Sequence, residues 1–308
     1  MWQFILRRLL LMIPIFFVLS VIIFSLIHIV PGNPIDNLIG PGMTKAHEQK
    51  LIEKYHLNKP LPVQYGIWLA NLFQGDLGTS IIEKRPVAEL LRHHLPYSLS
   101  LGLTAIALSF VLGVSMGIIS AAAKDTFIDH AAMVVALFGV TIPAFWLGLI
   151  LILIFAVWLN LLPVSGSGDL LSLILPAVTV GLGGAGLIAR ITRVSMLEVA
   201  SRDFIVMLHA KGLGKKAILL KHTLRNALIP VITILGLRIG WVLGGTVTVE
   251  IVFARPGLGQ LLITGLFRRD YPVIQGAMLL LAMGIVLGTF LADVLYAVTD
   301  PRVRDQHQ

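Results

Sequence analysis

The chain reads as an all-α integral membrane protein with six transmembrane helices and a small helical extracytoplasmic cap after the first. Three observations predict this. Of its 308 residues, 56% are hydrophobic and only 13% charged, whereas a soluble domain carries about 25% charged residues. The mean hydropathy is +0.89. The apolar residues also gather into six runs, each near the ~20 residues that a helix needs to cross a bilayer core.

The runs are Leu9–Val30, Leu99–Ala123, Ala131–Trp158, Leu171–Ala189, Ala227–Val249 and Val273–Val298. The first follows Arg7 and Arg8, as a signal peptide would. It is too long for the usual apolar core of one and lacks a small-x-small cleavage site before Pro31, so it is expected to stay as a span. Within Pro31–Ser98, Thr44–Leu57 and Val63–Phe73 are expected as short amphipathic helices parted by Asn58-Lys59-Pro60. Pro86 suits the first turn of a third, Val87–Leu95. Pro143 in span three and Pro176 in span four allow kinks. The organisation is then 1–30 (N-terminus and first span), 31–98 (cap), 99–298 (five-helix core with a cytosolic loop at 190–226) and 299–308 (tail).

Direction follows from the basic residues. Arg7 and Arg8, Arg302 and Arg304, and the loop after span four are rich in Lys and Arg, while Leu159–Leu170 has none. Both termini are expected in the cytosol, with the cap outside. Arg255, Arg268 and Arg269 argue mildly the other way. The long cap translocates largely regardless of its charge.

Close packing in lipid depends on small residues at i, i+4 spacing. Such stripes run through Ala105, Ser109, Gly113, Gly117 and Ala121; Ala177, Gly181, Ala185 and Ala189; Gly236, Gly240, Gly244 and Thr248; and Gly284, Gly288 and Ala292. Six spans are few for a transport pathway, so some stripes are expected to face a second, similar subunit. Charge within the spans is scarce and costly. Arg238 either lines a polar pathway, where it would meet a carboxylate, or pairs with Asp293 or with a partner helix to lock the bundle. Thr141 and Thr246, with Ser20, Ser25, Thr104, Ser109 and Thr179, are further lining candidates.

Several chemistries are excluded. The net charge of +8 invites a nucleic-acid reading, but the basic residues sit at span ends and form no aromatic-interleaved patch. The chain has no cysteine, so it holds no disulfide and no thiolate metal site. It has no G-x-x-x-x-G-K-[ST] loop to cradle ATP. Gly166-Ser167-Gly168-Asp169 matches the GxGD pattern of intramembrane aspartyl proteases, but it falls in a turn, and Asp293 lacks that family's preceding tyrosine. His93 and His94 are adjacent and cannot share a helix face as metal ligands do.

The segment His209–Pro230, HAKGLGKKAILLKHTLRNALIP, is basic and amphipathic, with no acidic residue. Gly212 and Gly214 are expected to bend it and Pro230 to end it. That bent knob suits a partner protein better than anionic lipid.

Taken together, the motifs resemble those of permease subunits of binding-protein-dependent ABC importers of the peptide/nickel group. They run from FILRRLLLMIPIFFVLSVIIF and PGNP at Pro31–Pro34 to L-x-x-P-L-P-x-Q-Y at Leu57–Tyr65, GDLGTS at Gly75–Ser80 and RPV at Arg85–Val87. They continue with FGVTIPAFWLGLIL, VEIVFARPGLGQLL at Val249–Leu262, RRDYPVIQG at Arg268–Gly276 and DPRVR. The resemblance implies a type I ABC importer permease fold in the bacterial cytoplasmic (inner) membrane. Its implied partners are membrane lipid, a second homologous permease subunit, two cytosolic ABC ATPase subunits and an extracytoplasmic solute-binding protein. ATP-Mg would be bound on the ATPases, and this chain would carry no cofactor and no catalytic residue. Coupling to the ATPases through the loop near 203–225 is implied for Asp203, Ala210, Lys211, Gly212, Leu213 and Gly214. The general family's E-A-A is replaced here by Val206, Met207 and Leu208. Glu250, Arg255, Pro256 and Gly257 are expected either to gate the pathway or touch the binding protein, or to form a plain re-entrant turn. Relatives carry dipeptides, oligopeptides, glutathione or nickel chelates, and the sequence does not choose among them. A stand-alone channel or secondary carrier would predict inverted repeats and broken spans at mid-membrane, which are not legible in the sequence.

Overall fold

A computed structural model of the chain describes residues 2–29, 49, 52, 58–166 and 168–299. The expected helix at Thr44–Leu57 lies outside these residues except for Gln49 and Ile52. PGNP, Ser167 and the tail beyond residue 299 lie outside them as well.

Helix α1 spans Trp2–Ile29, so Arg7 and Arg8 are part of the helix. The cap contributes α2, Leu61–Phe73, which enters on prolines as expected. Ser20 of α1 shares a 2.8 Å hydrogen bond with the Tyr65 hydroxyl, and Phe24 meets the Tyr65 and Trp68 rings. The cap is thereby seated on the first span.

The expected third cap helix is not separate. Val87–Ala122 forms one 36-residue helix, α3, with Pro96 inside it. Such a helix is ~54 Å long against a core of ~30 Å, so its first turns stand outside the membrane. Pro86 precedes the helix, where its missing N–H costs nothing. The third span is broken. Helix α4, Phe127–Thr141, and α5, Ala144–Leu151 with its π-helical continuation Ile152–Trp158, bend by 109° at Ile142-Pro143. The broken span that the sequence did not reveal is therefore present.

Helix α6 runs from Leu170 to Ala200, eleven residues beyond the predicted end of span four. It is followed by α7, Asp203–Ala210. After a turn, α8 at Lys215–Ala217 passes through a π-helical stretch, Ile218–Thr223, into α9, Leu224–Gly245. Pro230 lies inside α9 and does not end the segment. The segment from Lys215 and span five are thus one continuous rod. Beyond it come α10, Val247–Val252, α11, Leu258–Arg268, and α12, Tyr271–Thr299. Five helices are long and apolar enough to cross a membrane, or six when the bent α4–α5 pair counts as one.

Residues of the small-residue stripes meet within the chain along two helix pairs. Helices α3 and α6 form the most extensive helix pair among the described residues. A Cβ added at Gly113 would lie 2.6 Å from Ile188 Cβ and 2.7 Å from the Ala185 carbonyl, and one at Gly117 would lie 2.5 Å from Thr192 Cβ. On the other side of the bundle, Gly236 meets Ala292 and Gly244 meets Ile285, joining α9 to α12. With lipid as apolar as leucine, this close approach and its dispersion contacts hold the pairs together, joined between α3 and α6 by the Ser109 hydrogen bond to the Gly181 carbonyl.

Overpacking supplies the test. Gly113→Leu should destabilise the protein by about 3 kcal/mol, because no rotamer clears the facing backbone. Gly66→Ala, where nothing lies within 4 Å of the added carbon, should be neutral. Thermal unfolding midpoints in detergent compare the two, and equal midpoints would contradict the packing described.

Candidate functional site

Four polar constructions stand out in the apolar bundle. The first is a partly open cavity of about 360 Å³ where the broken span meets α3, α6 and α9, with Arg238, Ser109, Thr179, Pro143 and Ala144 in its wall. Arg238 is its one charged group. Its guanidinium reaches the Gly183 carbonyl through a long 3.4 Å contact, and its buried Nε has no hydrogen-bond partner. The glycine at 184 leaves room for it, since an added Cβ would come within 3.0 Å of the guanidinium. The Ser109 and Thr179 hydroxyls donate to the Gly181 and Leu175 carbonyls, each at 2.7 Å.

The second construction closes the outer segment. Glu250 is fully buried, at 0% exposure, and it accepts bonds from Ser98 Oγ at 2.6 Å, Thr246 Oγ1 at 3.0 Å and the Gly259 N–H at 2.7 Å. Ser98 in turn accepts from the Leu258 N–H. The carboxylate therefore caps the N-terminus of α11, where free amides and the helix dipole favour negative charge. Gly257 packs directly against the carboxylate, leaving no space for a side chain. Arg255 is also buried; its guanidinium donates to Ser100 Oγ at 3.0 Å and lies over the Tyr97 ring.

The third joins the cap to the loop before α12. Asp270 accepts from Ser80 Oγ and from the Ile81 and Ile82 N–H groups. The GDLGTS and RRDYP motifs, far apart in sequence, meet in this one cluster. The fourth lies at the opposite end of α3. Asp129 receives a bidentate pair from Arg193, Nε to Oδ1 at 2.7 Å and a terminal N–H to Oδ2 at 2.6 Å, along with bonds from Ser120 Oγ and the Asp125 N–H. Ser98 and Ser120 are ~33 Å apart along the helix, close to the thickness of the hydrocarbon core.

A further turn follows α7. The Gly212 N–H bonds the His209 carbonyl at 2.9 Å and the Leu213 N–H bonds that of Leu208 at 3.2 Å. Gly212 has φ of 79°, the left-handed position of a Schellman motif, which favours glycine. Phe204 seats α7 on Met196, Val199 and Ala227, and Ile205 beside it is buried. Asp203, Ala210, Lys211, Gly212 and Gly214 are exposed and Leu213 is half-buried.

Residues 113–305 match the family of binding-protein-dependent transport system inner membrane components. The chain belongs to that family. Residues 1–102 match the N-terminal part of such membrane components. This permease is 40% identical over 314 residues to the oligopeptide transport system permease protein AppB of Bacillus subtilis (strain 168), spanning 98% of this chain and 99% of that one. It is 38% identical over 304 residues to the glutathione transport system permease protein GsiC of Escherichia coli (strain K12), across 99% of each. A solved inward-facing MetNI methionine ABC transporter superposes with a TM-score of 0.59 at 19% identity, covering 68% of this chain and 96% of that one. At that identity it shows the shared fold. The permease is a multi-pass inner-membrane subunit of an ABC importer, and the stand-alone carrier reading falls despite the broken span.

Of the four predicted pathway residues, only Arg238 lines the cavity. Asp293 does not pair with it; Arg8 of α1 holds Asp293 at 2.7 Å. Thr141 is exposed and bonds its own helix at the Leu137 carbonyl. Thr246 is buried against Glu250. Glu250, Arg255 and Gly257 are buried and Pro256 half-buried. The sequence reading missed Asp129, Arg193, Ser98 and Asp270. Asp129 and Asp270 carried a legible signal as acidic residues at the margins of apolar runs.

Removing the carboxylate at 250 should leave the Ser98 hydroxyl and the buried Gly259 N–H without their acceptor. Glu250→Ala is expected to lower stability by about 3 kcal/mol. Glu250→Gln, whose amide oxygen still accepts, should cost less than half of that. Thermal midpoints rank them, and an unperturbed Ala variant would show that α11 needs no cap.

Proposed function

We propose that the permease forms half of an ATP-driven import pathway for peptides or similar small solutes, alongside a second homologous subunit. Two cytosolic ATPase subunits would drive it, and an extracytoplasmic binding protein would deliver the solute. Both termini and the α7 region face the cytosol in this reading, with the cap outside. The long identity to permeases named for oligopeptide and glutathione transport supports the substrate class.

The observation that carries the coupling role is the surface of α7. Val206 is 66% exposed and Met207 51%, on a short helix that leads into the basic segment His209–Pro230, which the positive-inside rule assigns to the cytosol. These side chains occupy the positions where the general family has E-A-A. Apolar residues held out on a short, firmly seated helix suit insertion into a protein cleft. Closure of the ATPases would then move α7 and, through α6 and the α8–α9 rod, the bundle. Asp203, Ala210, Lys211, Leu213 and Gly214 border that contact.

The Schellman geometry sharpens the test, because any bulky residue at 212 strains the turn before it meets a partner. Met207→Glu should abolish recovery of ATPase subunits with the purified permease while leaving membrane insertion intact. Gly212→Asn, which tolerates positive φ, should retain more coupling than Gly212→Glu. Lys215→Ala should change little, since a rim charge is worth about 1 kcal/mol or less. Full ATPase recovery and transport with Met207→Glu would rule out this surface. Sidedness is checked separately by a single cysteine at position 214, which should resist impermeant reagents applied outside intact cells.

A further inference from the structure

Three candidates carry chemistry beyond the coupling surface: the Asp129–Arg193 pair, the Glu250 cap and the Arg238 cavity. The first two are saturated with partners. Arg238 is not, and we infer that its cavity is a station that binds a carboxylate of the solute in transit. The inference rests on the reading that α3, the broken span and α9 border an import pathway.

Three features converge on one anionic ligand. A guanidinium keeps its charge at any physiological pH and presents a planar fork that matches a carboxylate. Here that fork is nearly idle, with one long contact to Gly183 and a buried Nε that bonds nothing. Among the described residues no Asp or Glu lines the cavity to neutralise it. The break at Pro143 also turns the uncapped first turn of α5 toward the same space, at Pro143 and Ala144. Free first-turn amides and the helix dipole add a second source of positive potential. An unpaired charge at this depth is costly in a resting bundle, and a passing carboxylate relieves that cost. Ser109 and Thr179 already donate to carbonyls, so their oxygens remain as acceptors for a solute N–H beside the carboxylate. The volume falls within the range of roughly 300–1,000 Å³ of small-molecule sites.

The test uses the full importer complex in proteoliposomes. Val180 lines the cavity, and the chain lacks cysteine, so Val180→Cys is a clean reporter. Its labelling rates with anionic sulfonatoethyl and cationic trimethylammonioethyl methanethiosulfonate give a ratio that reads the local potential. Arg238→Gln should lower the anionic-to-cationic ratio about tenfold, and Arg238→Lys should largely preserve it. Uptake of trialanine should fall roughly ten- to a hundredfold in Arg238→Gln and recover in part in Arg238→Lys. An unchanged labelling ratio, or unchanged trialanine uptake, in Arg238→Gln would overturn the assignment. If Arg238→Gln fails to assemble, protection decides: trialanine, but not its C-terminal amide, should slow anionic labelling of Val180→Cys with Arg238 in place, and equal effects of the two would overturn it. A complex that takes up neither trialanine nor glutathione would sink the peptide reading alone, and the labelling ratio would still report on the site.

Discussion

In hydrocarbon no hydrophobic force draws one apolar helix to another, so the architecture depends on how closely α3 and α6 can approach. Glycine, alanine and serine along both faces bring Gly113 and Gly117 of α3 against Ile188 and Thr192 of α6. That contact makes a rigid pair longer than the membrane is thick. Every other functional feature is fastened to it. The cavity lies along its flank, α7 continues from the end of α6, and the buried carboxylate clusters at Glu250 and Asp129 sit at the two ends of α3.

Three buried carboxylates share one physical role. Asp129, Glu250 and Asp270 each close a turn at an end of the bundle by accepting from backbone amides, from serine and, for Asp129, from an arginine as well. Loops at those depths have little water to satisfy their amides, and an unpaired amide is expensive. A carboxylate with several acceptor sites serves several donors at once. The cap and the outer turn are thereby fixed to the spans, which suits a transporter whose halves must move as bodies. Arg238 departs from this pattern, because its charge is left without a carboxylate. A satisfied arginine would be a lock, whereas an unsatisfied one is a site.

The membrane class, the positions of the spans, the stripes and the bend at Gly212 were legible from residue types alone. Period and composition report local facts: ~20 apolar residues must be buried in lipid, and a glycine two residues past a helix end invites a left-handed turn. Boundaries were less legible. Pro86 precedes a helix as expected, but that helix does not stop at Leu95, because Pro96 inside α3 is tolerated. The same holds for Pro230 inside α9, while Pro143 turns the chain through 109°. Residue type fixes that a proline removes one N–H; the neighbouring helices decide whether the freed carbonyl is compensated.

Pairing was decided by tertiary structure. The sequence marked Arg238, Asp293, Glu250 and Arg255 as charges in costly places, and that judgement follows from solvation energy alone. It could not say that Arg8 takes Asp293, that Glu250 turns inward to cap α11, or that the stripes of α3 and α6 meet each other. Those outcomes depend on which helix faces lie side by side. A charge's cost is set by its own desolvation, which its residue type and depth determine, whereas its partner is set by distances between segments remote in sequence, and only the folded chain fixes these.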